Sequence, residues 1–282
     1  MDTDVILETN FSLPLFKRGK VRDIYDLGDK LMIVSTDRIS AFDVVLPNGI
    51  PNKGEALNRL SIYWFNETNG IIQNHILDIV DPRTVLVKKA TPVKVEFVVR
   101  GYLYGQAWEK YKAGEDICGI RLPPGLSEAE KLPQPILTPT TKADIGHDVE
   151  LTRKDAIKLV GKDRFEEIED ACFEIYELGA RKGESNGIII ADTKFEFGIL
   201  GDEIILIDEL LTPDSSRFWP RNKYEIGKDQ FSFDKQHVRD YLTAIGWNKQ
   251  PPAPKLPKSI VQETSKKYVE AYERLTGRKF TI

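Results

Sequence analysis

Sulfur and imidazole are scarce in this sequence: its 282 residues include two cysteines and three histidines. Cys118 and Cys172 lie far apart, so no disulfide framework is implied and a reducing compartment is expected. His75, His147 and His237 lack the spacing of zinc ligands. No apolar run approaches the length of a membrane span, and the acidic residues 1–9 have no core of signal length. The expectation is a cytoplasmic protein with no membrane partner. A positive excess is missing as well. Lys and Arg number 40 against 44 Asp and Glu, a net charge of −4, which argues against holding a nucleic-acid backbone. There is no Walker phosphate loop, internal repeat or low-complexity tract, and no serine or cysteine has partners suggesting a nucleophile.

What remains is a chain long enough for one large domain or two, with ample apolar content to bury a core. Gly28 and Asp29 mark a hairpin turn between strands at 21–27 and 30–35. Ala56, Leu57, Leu60, Tyr63 and Trp64 recur at helical spacing over 54–68, and strands follow at 85–89 and 93–99. Prolines and glycines crowd 113–141, which reads as a long loop or lid. Thr152 caps a helix whose stripe, Phe165, Ile168, Cys172, Ile175 and Leu178, ends near Gly183, with a solvated acidic face opposite. Further helices are expected at 234–245 and, after the stiff PPAPKLP connector, at 259–276.

The informative stretch is 185–219, where ionised side chains interrupt two strands that otherwise look buried. The pattern predicts a hairpin of strands 188–199 and 203–211. Asp192, Lys194 and Glu196 then share one face, while Phe195 and Phe197 point into a core. A three-residue loop, 201–203, sets Glu196 opposite Asp208, and two facing carboxylates call for a cation between them. Mg²⁺ with phosphates fits, because such a cation takes one or two carboxylates and completes its shell with water and phosphate oxygens. A two-residue turn puts the two acids on opposite faces. The plainer alternative is a solvated face with an ion pair through Lys194.

Other groups suit anions. Lys17, Arg18 and Lys20 surround Gly19, whose backbone allows close approach to phosphate. Arg100 is expected at a sheet rim, and Arg217 follows a turn with Ser215 and Ser216. Arginine's planar fork captures carboxylate or phosphate, although each arginine also has acids nearby to pair with. Lys142 and Asp144 sit in the proline-rich segment. Cation-binding carboxylates, basic phosphate contacts and arginines for a second anion make up the inventory of phosphoryl transfer.

The motifs KRGKVRDIYDLGDKLMIVSTDRISAFDVVLPNGIPNKGEALNRLSIYWF, VVRGYLYGQAWEKY, DTKFEFG and LIDELLTPDSSRFWP, in this order, closely resemble the phosphoribosylaminoimidazole-succinocarboxamide synthase (SAICAR synthetase) family. The resemblance implies a ligase of de novo purine biosynthesis. It would join L-aspartate to the carboxylate of carboxyaminoimidazole ribonucleotide with ATP and Mg²⁺, through an acyl phosphate. It implies an α+β fold: an N-terminal antiparallel sheet domain, 1–98, and a larger ATP-grasp-like domain, 99–282, with ATP in the cleft between them. The implied partners are these small molecules, with a monomeric or homodimeric state and no nucleic acid. By motif, Gly19, Lys20, Val21 and Lys142 are implied ATP contacts, and Glu196 and Asp208 metal ligands. Lys20 and Lys194 are implied as the catalytic lysines. Arg100, Ser216 and Arg217, with Arg38 and Ser40, are implied substrate contacts.

The sequence departs from the family's pattern at Gln106, where many relatives have serine. A second departure, IGHDVEL, leaves the roles of His147 and Asp148 open. A small-molecule kinase and a non-catalytic nucleotide-binding module are the competing readings; aspartate-dependent turnover separates the first, and the intact carboxylate pair argues against the second.

Overall fold

A computed structural model of the chain describes residues 5–142, 149–233 and 235–281; Asp144, His147 and Asp148 lie outside the described residues. The first part of the chain forms β1 (Leu15–Arg18), β2 (Arg22–Asp26), β3 (Lys30–Ser35), β4 (Ser40–Ala41), β5 (Val44–Val45), α1 (Lys53–Glu67), β6 (Ile76–Asp81) and β7 (Thr84–Lys88). There follow β8 (Thr91–Pro92), β9 (Val95–Tyr102), α2 (Gln106–Lys112), β10 (Lys131–Thr141), α3 (Arg153–Val160) and α4 (Lys162–Ser185). The chain ends with β11 (Ile188–Leu200), β12 (Glu203–Ile207), β13 (Ser216–Pro220), α5 (Gln236–Ala244) and α6 (Lys258–Thr276). The class is α+β, as expected.

Strands β1–β2–β3–β7–β6 make an antiparallel five-stranded sheet, and β10–β9–β11–β12, with β8 and β13 also on β11, make a six-stranded one. The division expected at residue 98 falls within β9. β11 is the spine of the second sheet, bonded to β9, β12, β13 and β8 along its length. Its apolar face closes the main core. Phe195 and Phe197 are fully buried with Phe97, Phe165, Ile168, Cys172 and Ile175, and the Phe97 and Phe197 rings meet edge to face at 5.6 Å. At Gly101 a side chain is excluded, because a Cβ would lie 1.9 Å from the Tyr176 hydroxyl, which donates to the Ile190 carbonyl. A second core joins Ile39, Ile50 and Leu57 to Val238, Leu242 and Tyr268, so α1, α5 and α6 pack together against the segment that carries β4.

Three expectations are corrected. The loop or lid over 113–141 contains a strand, β10, paired with β9 from Ile136 to Thr141. Its prolines are tolerated because β10 is an edge strand, and Pro133 and Pro135 fall where the register shifts between Lys131 and Ile136. The single helix after Thr152 is two. Thr152 does cap α3, accepting from the Asp155 backbone, but Gly161 at φ 91 breaks the helix before α4 carries the apolar stripe. The return strand of the central hairpin stops at Ile207 rather than 211, because Asp208 takes φ 68.

The five-stranded sheet holds its entry segment through one buried carboxylate. Asp23 is fully buried; its Oδ2 accepts from the Thr9 backbone and hydroxyl, each at 2.8 Å, and its Oδ1 from Arg38 Nη2 at 2.8 Å and Arg18 Nε at 3.2 Å. Burial alone raises a carboxyl's pKa, but the Thr9 and Arg38 bonds outweigh it and hold Asp23 below the usual range. Because the folded pKa is depressed, this stabilisation is present above about pH 4 and is lost as pH falls through the folded value. Asp23→Ala is expected to lose about 3 kcal/mol in urea unfolding at pH 7, since it strands the Arg38 guanidinium. The gap from the wild type should narrow below about pH 4; a gap unchanged with pH would show that the carboxylate charge is not what stabilises.

Candidate active site

A cleft of about 630 Å³ separates the two sheets. The first sheet lines it with Ile24, Leu31, Ile33 and Val87, and the second with Pro92 and Ile207; Lys17, Lys142, Glu196 and Asp208 supply charge. Its size suits a nucleotide-sized ligand, and its lining offers apolar walls for a base and ionised groups for phosphates.

The hairpin register differs from the expected one. Leu200 pairs with Glu203 around a two-residue turn, Gly201 and Asp202, so Glu196 faces Ile207 rather than Asp208. The shared site survives nonetheless. Asp208 lies one residue past the end of β12 with φ 68, so the alternation of the pleat no longer sets its direction, and it lines the same cleft as Glu196. Burial, opposed by Arg22 and reinforced by the nearby Glu196, raises the Asp208 carboxyl to about 6. Its backbone is held by His75, which burial and then Arg22 push down to about 3, so the ring is neutral while it bonds the Asp208 main chain. The His75 segment is itself fixed by its N–H to the Leu206 carbonyl at 3.1 Å.

Around these acids sits a compact set of cations. Lys194 bridges Glu96 at 3.0 Å and Glu196 at 2.6 Å, so the ion pair of the plainer alternative is present, but inside a cleft. Lys142 pairs with the other oxygen of Glu196. Burial works to raise the Glu196 carboxyl, yet Lys194 and Lys142 hold it well below the ordinary range. Arg22 donates to Asp208 and, at 3.0 Å, to Glu209. Sequence reading missed Arg22, because the bend at Lys20 and Val21 breaks any alternation that would have shown which way the first residue of β2 points.

The donor set fits Mg²⁺. No group of three or more His, Cys, Asp or Glu able to hold a metal occurs among the described residues, and two carboxylates are what a phosphate-bound Mg²⁺ takes from protein.

Gly19, Lys20 and Val21 form the connection between β1 and β2. Lys20 is exposed and pairs with Asp43 at 2.5 Å; Lys17, not Lys20, lines the cleft. The Arg38 guanidinium donates to the carbonyls of Leu7, Gly19 at 2.9 Å and Lys20 at 3.1 Å and to Asp23, and so shapes the turn between β1 and β2. Ser40 is buried in β4.

A second polar cleft of about 120 Å³ lies at the other end of the same strand face, lined by Asp192, Ser215, Ser216, Arg217, Lys235 and Arg239. β11 is flanked here by β9 and β13, which set Arg100 and Arg217 opposite Asp192. Both arginines donate to one oxygen of Asp192, Arg100 at 3.1 Å, and Arg100 also reaches the Thr138 hydroxyl at 3.0 Å. Arg100 therefore sits on a central strand, not at the expected rim. Ser216 donates to Thr193 at 2.9 Å, and the Arg217 guanidinium lies over the Tyr104 ring, 5.6 Å from its centroid. Gln106 is exposed at the first position of α2.

The SAICAR synthetase family model matches residues 15–254. A phosphoribosylaminoimidazole-succinocarboxamide synthase of Desulfosudis oleivorans is 50% identical, covering 97% of this chain and 99% of the relative. Among solved structures, a SAICAR synthase from Saccharomyces cerevisiae in complex with SAICAR is 41% identical with a TM-score of 0.91, covering 98% of this chain and 100% of that one. A SAICAR synthetase in complex with ADP is 26% identical with a TM-score of 0.73, covering 94% of this chain and 99% of that one.

Gly105 offers a test of how tightly the arginine cleft is built. It has φ 61, and a Cβ there would meet Arg217 Nη2 at 2.8 Å. Gly105→Ala is expected to lower stability by about 1–2 kcal/mol through backbone strain and to shift Arg217. Thermal unfolding with inorganic phosphate titration checks both; unchanged phosphate affinity would mean that Arg217 accommodates the methyl group.

Proposed function

The chain belongs to the SAICAR synthetase family, and from that premise we propose that it joins L-aspartate to the carboxylate of carboxyaminoimidazole ribonucleotide at the expense of ATP. It is an enzyme, a ligase of purine biosynthesis. Among the described residues no helix is long and apolar enough to cross a membrane.

The observation that carries this reading is that one face of β11 bears Asp192 in the arginine cleft and Glu196 in the larger cleft. Four residues of strand separate them by about 13 Å, room for a phosphoribosyl group and a five-membered base laid end to end. The ribonucleotide's phosphate is assigned to Arg217 and Ser216, braced by Arg100 through Asp192. Its carboxylate then lies toward Lys194. ATP is assigned to the larger cleft, with its base against Ile24, Leu31, Ile33 and Val87 and its phosphates toward Gly19, Lys20, Val21 and Lys142. That a family structure holds ADP supports this use of the cleft. Glu196 and Asp208 would hold Mg²⁺, which when bound neutralises phosphate charge.

A free carboxylate is a poor electrophile, so activation comes first. A carboxylate oxygen of the ribonucleotide attacks the γ-phosphorus, the bond to the bridging oxygen breaks, and ADP departs. The aspartate amine then adds to the acyl carbon, loses a proton, and expels phosphate to leave the amide. Lys20 and Lys194 offset the repulsion between the polyphosphate and the incoming carboxylate. Ser40 is kept as a contact of the aspartate, while Arg38 serves by fixing the turn that carries Lys20.

Purified protein with ATP, Mg²⁺ and the ribonucleotide is expected to sustain ADP release over many turnovers only when aspartate is supplied. Sustained release without aspartate would favour a kinase instead. Asp208→Asn is expected to cut kcat by about a hundredfold or more with little change in melting temperature, since it removes charge where the phosphates are bound. Wild-type turnover in that variant would reduce Asp208 to a structural role.

A further inference from the structure

One cluster of buried charge among the described residues lies outside the steps just described. Lys53, the first residue of α1, is fully buried, and its ammonium meets Asp214 Oδ2 at 2.8 Å. Lys235 reaches the same oxygen at 3.2 Å. The other oxygen, Oδ1, accepts from the Tyr268 hydroxyl at 2.8 Å. Tyr268 belongs to α6, which lies beyond the stretch matched by the family model. A buried carboxylate with two ammonium partners and a phenol is costly to assemble for stability alone, since an apolar cluster of equal volume serves as well or better. Burial lowers the Lys53 pKa despite Asp214, and Lys235 and Lys53 hold the Asp214 carboxyl down against burial, so the cluster is built around an ionised Asp214.

Asp214 is the hinge point of the loop that carries Ser216 and Arg217. On its far side that loop is tied to β11: the Lys194 N–H donates to the Ser215 carbonyl at 2.8 Å, and Ser216 donates to Thr193. On its near side α1 holds it again, through the Ser61 hydroxyl accepting from the Leu210 N–H at 3.0 Å. Between these ties Leu211 takes φ 48 and the 212–215 turn closes on its own bonds, with the Thr212 N–H donating to Ser215 Oγ at 3.2 Å. Asp214 is therefore where two helices far apart in the chain, α1 and α6, grip the arginine cleft.

We propose that Lys53 and Tyr268 are positioning residues for the ribonucleotide, clamping Asp214 so that the 212–217 loop presents Ser216 and Arg217 to the phosphate beside Lys235. None of its members lines the larger cleft, and although Lys53 also borders a small cavity with Arg22, Asp208 and Glu209, Asp214 and Lys235 line the smaller cleft, so the clamp is assigned to the substrate held there. This rests on the assignment of the smaller cleft to the ribonucleotide's phosphate.

Tyr268→Phe removes the hydroxyl while keeping the ring that packs in the second core. It is expected to raise KM for the carboxylated ribonucleotide about fivefold to tenfold, as for a lost hydrogen bond to a charged group, with KM for ATP within twofold. Asp214→Asn keeps an acceptor for the hydroxyl but removes the charge, and should act in the same direction. Calorimetry with ribose 5-phosphate and with ADP reads the clamp without turnover: the first should weaken in both variants and the second should hold. Ribose 5-phosphate affinity and ribonucleotide KM within twofold of wild type in both variants would overturn the proposal, as would an equal loss of ADP affinity. Absence of aspartate-dependent turnover in the wild type would overturn the functional assignment instead, whatever the clamp does to phosphate binding.

Discussion

Three ionised residues on one face of a central strand constrain everything around them. β11 has neighbours on both sides and a core beneath, so Asp192 and Glu196 are buried and Lys194 is only partly exposed. Each must be met by an opposite charge brought from a neighbouring element. Arg100 comes from β9 and Arg217 from β13 to Asp192; Glu96 comes from β9 to Lys194, and Lys142, just after β10, comes to Glu196. The strand order of the six-stranded sheet is thereby also the order in which counter-charges are delivered. The opposite face of the strand makes the arrangement affordable, because Phe195 and Phe197 anchor β11 in the main core whatever happens above it.

Asp208 meets the same constraint by different means. A strand residue opposite Glu196 would place two carboxylates in direct cross-strand contact, and the register avoids this by facing Glu196 with Ile207. Ending β12 there and turning Asp208 into the left-handed region brings the second carboxylate into the cleft by a route that tertiary partners fix, namely His75 at its backbone and Arg22 at its side chain. The left-handed conformation is uncommon for a residue other than glycine, though aspartate tolerates it better than most. Its occurrence at a residue lining the cleft is consistent with strain kept where function needs a particular direction.

Much of this was legible in the chain. Alternation in 188–200 shows which residues of β11 face the core and which face the clefts, because a strand's period is two and nothing else is needed to read it. The helical stripes and the Gly28 turn are local signals of the same kind. The carboxylate pair was legible as a pair, but not how it is achieved: a one-residue difference in the turn inverts the expected geometry, and only the tertiary partners of Asp208 restore it. Prolines at 133 and 135 read as loop because sequence does not show that β10 is an edge strand with a register shift at that point. That Arg38 holds the backbone at Gly19 and Lys20 was not legible, because those partners lie some twenty residues away and follow no spacing. Lys53, Asp214 and Tyr268 were silent, since their partners lie far apart in sequence and none stands in a recognisable spacing.

The two clefts differ in how their charges are arranged. At the smaller one each carboxylate is bonded to two cations: Asp192 to Arg100 and Arg217, Asp214 to Lys53 and Lys235. Arg239 lines the same cleft, so positive charge is left over for a phosphate dianion without further help. The larger one is arranged differently. Glu196 is paired by Lys194 and Lys142 and Asp208 by Arg22, while Lys17, Lys88, Lys89 and Lys94 line the same cleft. Burial is the largest cause of the raised Asp208 carboxyl, and Arg22 opposes it. Under the proposed function Glu196 and Asp208 would hold Mg²⁺, which would offset phosphate charge close to the two acids, and the lysines of the lining would meet the remainder. The smaller cleft is thus served by arginine and lysine alone, whereas the larger one sets two carboxylates among its lysines, the donor set that a metal ion would use.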